Sequence, residues 1–435
     1  MSDVASNALG RMADTNGRER VPTSIVAATV AGNALEFFDF GVYAFFTPFI
    51  AKAFFPTTDP VAGLLATLAV FGIGFLFRPL GGILFGWMAD RHGRKPAMLL
   101  TIVLITFGTL ALAITPTYAS IGIAAPIIIV IARLIQGLAL GGEVGPSTSF
   151  LIEIAPQNKR GIYSSWQLAS QGLASMFAGG LGYIMASSLA PADLASWGWR
   201  VPFFAAVLLV PIALYLRSSM PETLEARPAG ALSDVDTNIS HHWGKVLASI
   251  LVVLGGTVST YIIIFLSTTY AMVSLKFPPA VAYQAAVVTG FVTFLSALLG
   301  GWLSDKFGRK SAMIVPRVLL LVGTYPAMAW FFNDPTPANL MLVCAAMAAL
   351  VGISGAASFA AIPEIFPSHV RALGLSIAYA VGVAIFGGST QLVAQWMITA
   401  TGNPLSLAWY AVAASVLCLI GMFLLPETKN VKVTG

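Results

Sequence analysis

Apolar residues along the chain come in long uninterrupted runs separated by short polar breaks. A helix needs about 20 apolar residues to cross the core of a bilayer. Reading from break to break predicts twelve such spans, at 24–50, 62–88, 97–115, 121–148, 161–187, 199–217, 243–272, 280–303, 311–332, 338–361, 372–399 and 405–425. The runs are continuous, whereas barrel strands alternate over about 10 residues. The stretches 1–23, 218–242 and 426–435 are polar and hold no span. The first apolar run is too long for the core of a cleavable signal, so the first helix is expected to be retained.

Basic residues set the orientation, because cytoplasmic loops collect Lys and Arg. With both termini in the cytoplasm, 17 of the 23 basic residues fall on that side. Lys52, Arg200 and Lys276 fall on the other side, and Arg78, Arg133 and Arg317 lie within spans. Both termini are therefore expected in the cytoplasm.

Composition narrows the class. Apolar residues make up 57% of the chain and charged residues only 9%, against about 25% in soluble domains. An ordinary soluble enzyme, a nucleic-acid-binding domain and a disordered chain are excluded. Cys344 and Cys418 sit in apolar runs without metal-ligand spacing, and His92, His241, His242 and His369 fall in loops. No disulfide, metal site or cofactor is expected. The chain has no G-x-x-x-x-G-K-[ST] loop and no recognisable nucleophile–base pair, so no enzymatic activity is expected.

The chain also repeats itself. Residues 86–98, GWMADRHGRKPAM, return at 301–313 as GWLSDKFGRKSAM. Glu153-Ile154-x-Pro156-x3-Arg160 returns as Glu364-Ile365-x-Pro367-x3-Arg371, and Pro221-Glu222-Thr223 as Pro426-Glu427-Thr428. The expected organisation is an N-terminal bundle at 24–217, a linker at 218–242 and a C-terminal bundle at 243–425, with tails at 1–23 and 426–435. Internal repeats of this kind are typical of secondary transporters, whose substrate site lies between the repeats near mid-bilayer.

The pattern G-x3-D-[RK]-x-G-[RK]-[RK], at 86–95 and 301–310, resembles the loop signature of the major facilitator superfamily. The resemblance implies an all-α membrane protein, with twelve transmembrane helices in two six-helix repeats. It also implies alternating access, with this loop latching the halves together. Gating roles then follow for Asp90, Arg91, Arg94, Lys95, Asp305, Arg309 and Lys310. Glu153, Arg160, Glu364 and Arg371, at helix ends, are expected to pair with the loop cations when that side is closed. Further segments are GNALEFFDF at 32–40, RPLGG at 78–82, RLIQG at 133–137 continuing to Gly141-Gly142-Glu143, and WGWRVPF at 197–203. Together they resemble the metabolite:proton symporter branch, over residues 24 to 425. Residues 165–171 and 384–388 are most similar to its citrate and tricarballylate members.

That resemblance implies a symporter in a bacterial inner membrane that imports an organic anion with a proton. Citrate or a related tricarboxylate is the first expectation. Dicarboxylates such as 2-oxoglutarate, zwitterionic osmolytes and sodium coupling stay open. Exporters of the superfamily carry a Gly-x3-Gly-Pro-x2-Gly-Gly motif in the fifth span; residues 161–185 contain no proline, which argues against an antiporter. The lipid bilayer is an implied partner and nucleic acid is not; monomeric function is the family expectation.

Ionisable side chains at mid-bilayer are costly and mark a cavity or a partner. Asn33, Glu36, Asp39 and Tyr43 share one face of the first span. Burial and a like-charged neighbour both disfavour an ionised carboxylate. One of Glu36 and Asp39 is thus expected to exchange a proton, unless each merely pairs with an arginine such as Arg78. In the fourth span Arg133, Gln136, Glu143 and Ser147 form a polar stripe beside a seam of Gly137, Gly141 and Gly145. Arg133 can fork onto a carboxylate and is the first candidate for substrate binding; a permanent Arg133–carboxylate pair is the alternative. The expected substrate residues are Arg133, Asn33, Tyr43, Gln136, Gln167, Gln171, Tyr261 and Gln391, and the expected proton carriers Glu36, Asp39 and Glu143. Arg317 is expected to snorkel to the membrane surface, leaving the second half mainly to shape the pocket.

Overall fold

The computed structural model describes residues 12–13, 19–20, 23–92, 94–141, 144–218, 242–367 and 370–431. It is helical apart from two strands of two residues each, β1 (Met12–Ala13) and β2 (Glu19–Arg20), which pair antiparallel. The longer helices up to residue 218 are α1 (Thr23–Phe54), α2 (Pro60–Leu76), α3 (Arg78–His92), α4 (Arg94–Ile114), α5 (Ala124–Leu140), α6 (Val144–Ile154), α7 (Arg160–Ser188) and α8 (Val201–Ser218), with short helical turns between some of them. Those after residue 242 are α9 (Trp243–Phe265), α10 (Pro279–Phe307), α11 (Arg309–Asn333), α12 (Pro337–Glu364), α13 (Arg371–Gly382), α14 (Gly388–Thr401) and α15 (Ser406–Leu424). Helix occupies each of the twelve stretches that hydropathy predicts.

Among the described residues nine helices are long and apolar enough to cross a membrane. Two more, Leu99–Ile114 and Ala124–Leu140, are apolar but shorter. α7 falls outside the nine despite its 29 residues, because it carries a polar face that includes Ser164, Gln167, Ser170 and Gln171.

The structure adds interruptions that hydropathy does not reveal. The second apolar run breaks at Phe77, between α2 and α3, and the fourth breaks after Leu140, between α5 and α6. π-Helical turns follow α9 (Leu266–Tyr270) and join α13 to α14 (Val383–Gly387). Such turns free backbone groups locally and often lie at functional sites. Away from the breaks, helix starts obey ordinary capping rules. Asp59 accepts the Val61 N–H at 2.9 Å ahead of Pro60, and Thr336 accepts the Asn339 N–H at 3.2 Å ahead of Pro337.

Close packing relies on small residues, since lipid offers no hydrophobic drive for helices to associate. The expected glycine seam of α5 meets α2 and α3. A side chain at Gly137 would overlap the carbonyl of Gly74, and one at Gly141 would overlap that of Arg78. α7 and α10 run against each other over much of their length, with Gly161 against Gly301 and Gly172 against Gly290. α2 touches α14 where Gly72 meets Gly388. These two contacts, with those of α7 against α12 and α6 against α13, join the early helices to the late ones. They flank a central cavity.

Candidate functional site

The cavity has a volume of about 140 Å³ and is walled by α1, α7, α9, α10, α11, α12 and α13. Phe37, Phe40 and Phe45 line it from α1, with Gln171 and Ser175 from α7. Thr257, Thr260 and Tyr261 come from α9, and Tyr379 from α13. Among the described residues the wall contains one charged side chain, Arg317, and no carboxylate. A guanidinium set among hydroxyl and amide groups suits an anion.

Arg317 does not snorkel. It is 1% exposed, and its Nη1 donates to Ser259 Oγ at 3.0 Å and to the Gly255 carbonyl at 3.3 Å. Counting residues from Lys310 gave its depth along α11. It could not give its direction around the axis, which the polar groups of α9 settle.

The first-span acid and the fourth-span arginine meet, but behind the wall. Asp39 Oδ1 accepts from Thr109 Oγ1 at 2.7 Å, and Oδ2 accepts from Gln136 Nε2 at 2.8 Å. Gln136 Nε2 also reaches Thr109 Oγ1 at 3.0 Å, while its Oε1 accepts from Arg133 Nη1 at 2.9 Å. Arg133 Nη1 lies 3.7 Å from Asp39 Oδ2. Asp39, Gln136 and Arg133 are all buried. The Arg133 guanidinium stacks 3.6 Å from the centroid of the Tyr43 ring.

One aromatic layer separates this network from the cavity. Phe40 is a wall residue, with Arg78 4.8 Å and Arg133 5.1 Å from its ring centroid. Arg78 also lies over Phe75 at 4.1 Å. Glu36 is buried on the same helix as Phe40, one turn away. Cations over ring faces are stabilised by the ring quadrupole, most strongly when desolvated.

The remaining expected residues are distributed as follows. Gln171 and Tyr261 line the cavity. Asn33 Nδ2 is turned to the Gln167 carbonyl at 2.9 Å and Ser170 Oγ at 2.7 Å, joining α1 to α7. Gln167 Nε2 reaches Ser147 Oγ at 3.3 Å, and Tyr43 Oη donates to the Thr67 carbonyl at 3.2 Å. Gln391 is fully buried in α14, with neither amide atom hydrogen-bonded among the described residues. Asn33, Tyr43, Arg133, Gln136, Gln167 and Gln391 are thus not wall residues. Glu143 and the side chains of Asp90, Arg91, Arg94 and Lys95 lie outside the described residues.

The end of the molecule where α15 runs out into residues 425–431 is tied by polar contacts. Asp305 accepts the N–H groups of Gly161 and Ile162, at 2.8 and 2.9 Å, capping the first turn of α7. The site is favourable for a carboxylate, since those N–H groups have no partner within the helix and the helix dipole points the same way. Arg309 holds Asp305 at 2.8 Å and forks onto Glu364 at 2.9 and 3.1 Å. Arg371 reaches Glu153 at 3.1 Å. The helix-end acids and arginines therefore pair across the repeat, Glu153 with Arg371, while Glu364 takes the loop cation Arg309. Arg160 instead donates to the Val431 carbonyl at 3.0 Å.

The tail was not expected to take part. Thr428 donates to Glu364 at 2.6 Å. Glu427 accepts the N–H groups of Arg309 and Lys310 at 2.9 and 3.0 Å, and Lys310 Nζ donates to the Phe423 carbonyl at 3.1 Å. Partial burial works against the Glu427 carboxylate, but the N–H groups of Arg309, Lys310, Lys429 and Thr428 outweigh it. They hold its carboxyl below the usual carboxylate range. The Pro-Glu-Thr repeat was the available sequence signal. At the opposite end the closure is aromatic: Phe46 stacks on Tyr283 with centroids 4.8 Å apart.

Comparison with known proteins follows this geometry. The family model described as "Sugar (and other) transporter" matches residues 24–225 and 234–434. A citrate-proton symporter from Klebsiella pneumoniae is 33% identical over 420 residues, covering 96% of this chain and 94% of that protein. An alpha-ketoglutarate permease from Escherichia coli (strain K12) is 35% identical over 447 residues, covering 99% of this chain and 100% of that protein. The partially occluded inward-open structure of the xylose transporter XylE from E. coli superposes with a TM-score of 0.77 at 19% identity, covering 94% of this chain and 98% of that one.

Proposed function

The chain belongs to the sugar (and other) transporter family of the major facilitator superfamily, and we propose that it imports an organic carboxylate by proton symport. Citrate or a related tricarboxylate is the first cargo, supported by the likeness to citrate-proton symporters. 2-Oxoglutarate is the second, supported by the likeness to the alpha-ketoglutarate permease. The observation that carries an anionic cargo is the wall itself, with one guanidinium, several hydroxyls and no carboxylate.

In this reading the twelve helical stretches all cross the bacterial inner membrane, as two six-helix bundles at 24–217 and 243–425. The 17-to-3 bias of basic residues supports a cytoplasmic side for both termini, and so for the polar-tied end. The structure is then closed on its cytoplasmic side by Asp305, Arg371 and Arg160.

Asp39 is the proton carrier, with Glu36 nearby as second acid. A proton on Asp39 removes the negative charge that offsets Arg133. The potential behind Phe40 becomes more positive, and the cavity holds an anion better. A unit charge on the order of 10 Å away is worth about 1–2 kcal/mol at an effective dielectric near 20, which is about tenfold or more in affinity. A ligand shifts the equilibrium only through its different affinities for the two states. Proton and cargo must therefore both favour the closed cavity, from which the bundles rock to the inward-facing state.

The test is uptake of labelled citrate and 2-oxoglutarate into proteoliposomes in sodium-free buffer. Accumulation driven by an inward proton gradient, and competed by unlabelled tricarballylate in the citrate case, is expected. Equal uptake with and without the gradient would contradict proton coupling, and absence of both cargoes would contradict the carboxylate reading.

A further inference from the structure

The buried arginines of this protein differ in what faces them. Arg133 lies beside Asp39, and Arg309 is forked onto Glu364. Arg317 is 1% exposed and has no carboxylate within ion-pair distance among the described residues. A buried charge without a counter-charge is costly. Here the uncompensated charge stands in the wall of the cavity.

The geometry shows which part of the group is free. Both of its hydrogen bonds come from Nη1, to Ser259 and to the Gly255 carbonyl, and they hold the guanidinium plane against α9. The buried Nε has no partner among the described residues. Nη2 points towards Gly256, another wall residue, and lies 3.9 Å from where a Cβ there would be. Guanidinium N–H groups bind carboxylates through charge-assisted hydrogen bonds. With Nη1 used to fix the plane and Nε sealed within the protein, Nη2 is the donor placed beside a wall residue.

We infer that Arg317 is the residue that grips the cargo, taking one carboxylate on Nη2 beside Gly256. The inference rests on the reading of the cavity as the anion site, and it narrows the cargo. One wall cation matches one carboxylate directly. The rest of the cargo meets neutral groups such as Gln171, Thr257 and Tyr261, which accommodate hydroxyl, keto or protonated carboxyl groups better than further full charges. The preferred form carries one ionised carboxylate, as in a half-protonated dicarboxylate or a doubly protonated tricarboxylate, rather than a full trianion. A merely structural Arg317, pinning α11 to α9 through Nη1, would not need a wall position.

The experiment measures thermal stabilisation of the purified full-length protein by succinate, citrate and choline, together with carboxylate counterflow in proteoliposomes. Wild type is expected to be stabilised by the two carboxylates and not by choline, which has no carboxylate. Arg317→Gln should lose that stabilisation and raise KM by about 30-fold or more, as expected when a buried charge pair loses one partner. Arg317→Lys, which keeps charge but not the guanidinium, should fall between. Gly256→Val keeps Arg317 and covers Nη2. An added Cβ at Gly256 comes into ordinary contact with that atom alone, at 3.9 Å; with its folding checked by thermal melting, this variant should still raise KM. It decides the matter if Arg317→Gln does not fold. Wild-type KM and stabilisation in both Arg317→Gln and Gly256→Val would overturn the inference while leaving carboxylate symport intact. A wild-type protein that neither binds nor moves any carboxylate would overturn both.

Discussion

In the helices before residue 218, an acid and an arginine lie buried side by side, with Asp39 and Arg133 bridged by Gln136. In the helices after residue 242, the similarly buried Arg317 has hydroxyl and carbonyl partners but, among the described residues, no acid. The close ion pairs of that region sit at its polar-tied end, where Arg309 meets Glu364. One region thus holds a charge pair shielded from the cavity by Phe40, and the other presents a single cation to it. A proton-responsive pair and an anion grip placed on opposite sides of one cavity can influence each other electrostatically without touching. In the proposed cycle this is how a proton bound in one bundle reports to a cargo held by the other.

The strongest way to break this comparison is to leave one member of the first pair alone. Arg133→Gln strands Asp39 beside Gln136, and removing one partner of a buried pair costs about 3–5 kcal/mol. A large fall in thermal stability is expected in detergent. Asp39→Asn combined with Arg133→Gln should recover most of it, because no uncompensated charge is left. If the double variant is no more stable than Arg133→Gln, the two residues are not one unit.

Next in size is the cap on α7. Asp305→Ala removes an acceptor for two N–H groups and a favourable charge at a helix start, together worth about 1–2 kcal/mol. Cysteines placed beside Gly161 should become more reactive towards a thiol reagent added on the terminal side. Unchanged labelling would mean that Asp305 does not hold this end closed. Glu153→Gln should do less. Glu153 is 42% exposed in its pair with Arg371, and exposed pairs are worth at most about 1 kcal/mol. A labelling change as large as that of Asp305→Ala would reverse the ranking.

The smallest effect is a pH dependence. The Glu427 carboxyl is held below its ordinary range by backbone N–H groups. Its contribution is complete above the unfolded carboxylate pKa and is lost as pH falls through the lower folded value. Attachment of the tail to residues 308–310 should loosen only below about pH 4. Hydrogen exchange at the Arg309 and Lys310 amides, compared between wild type and Glu427→Gln at each pH, checks this. The two should converge in acid and differ at neutral pH.

Much of the architecture was legible because apolar runs and basic loops report directly on the bilayer. The repeated GRK loop marked the polar-tied end for the same reason. The stripe of Arg133 and Gln136 was legible too, since helical spacing fixes which side chains share a face. What spacing cannot fix is the neighbour that face meets. Arg133 met Tyr43 and Asp39 instead of the cavity, and Glu153 met Arg371 from the other repeat instead of a loop cation. Arg317 was misjudged for a related reason. Its distance from the helix end allowed snorkelling, but Ser259 and Gly255 on α9 draw it inward. The break at Phe77 and the π turns are lost in a hydropathy average over a whole span, although Arg78-Pro79 follows Phe77 and the turn after α9 reads LSTTY.

The central claim is that Asp39 couples the proton to a cargo gripped elsewhere. It is tested most directly by measuring proton flux and carboxylate flux together in proteoliposomes containing wild type or Asp39→Asn. The account predicts coupled fluxes in wild type. In Asp39→Asn it predicts carboxylate counterflow that persists without proton movement and without gradient-driven accumulation. A variant that still accumulates carboxylate at the wild-type proton ratio would contradict the assignment.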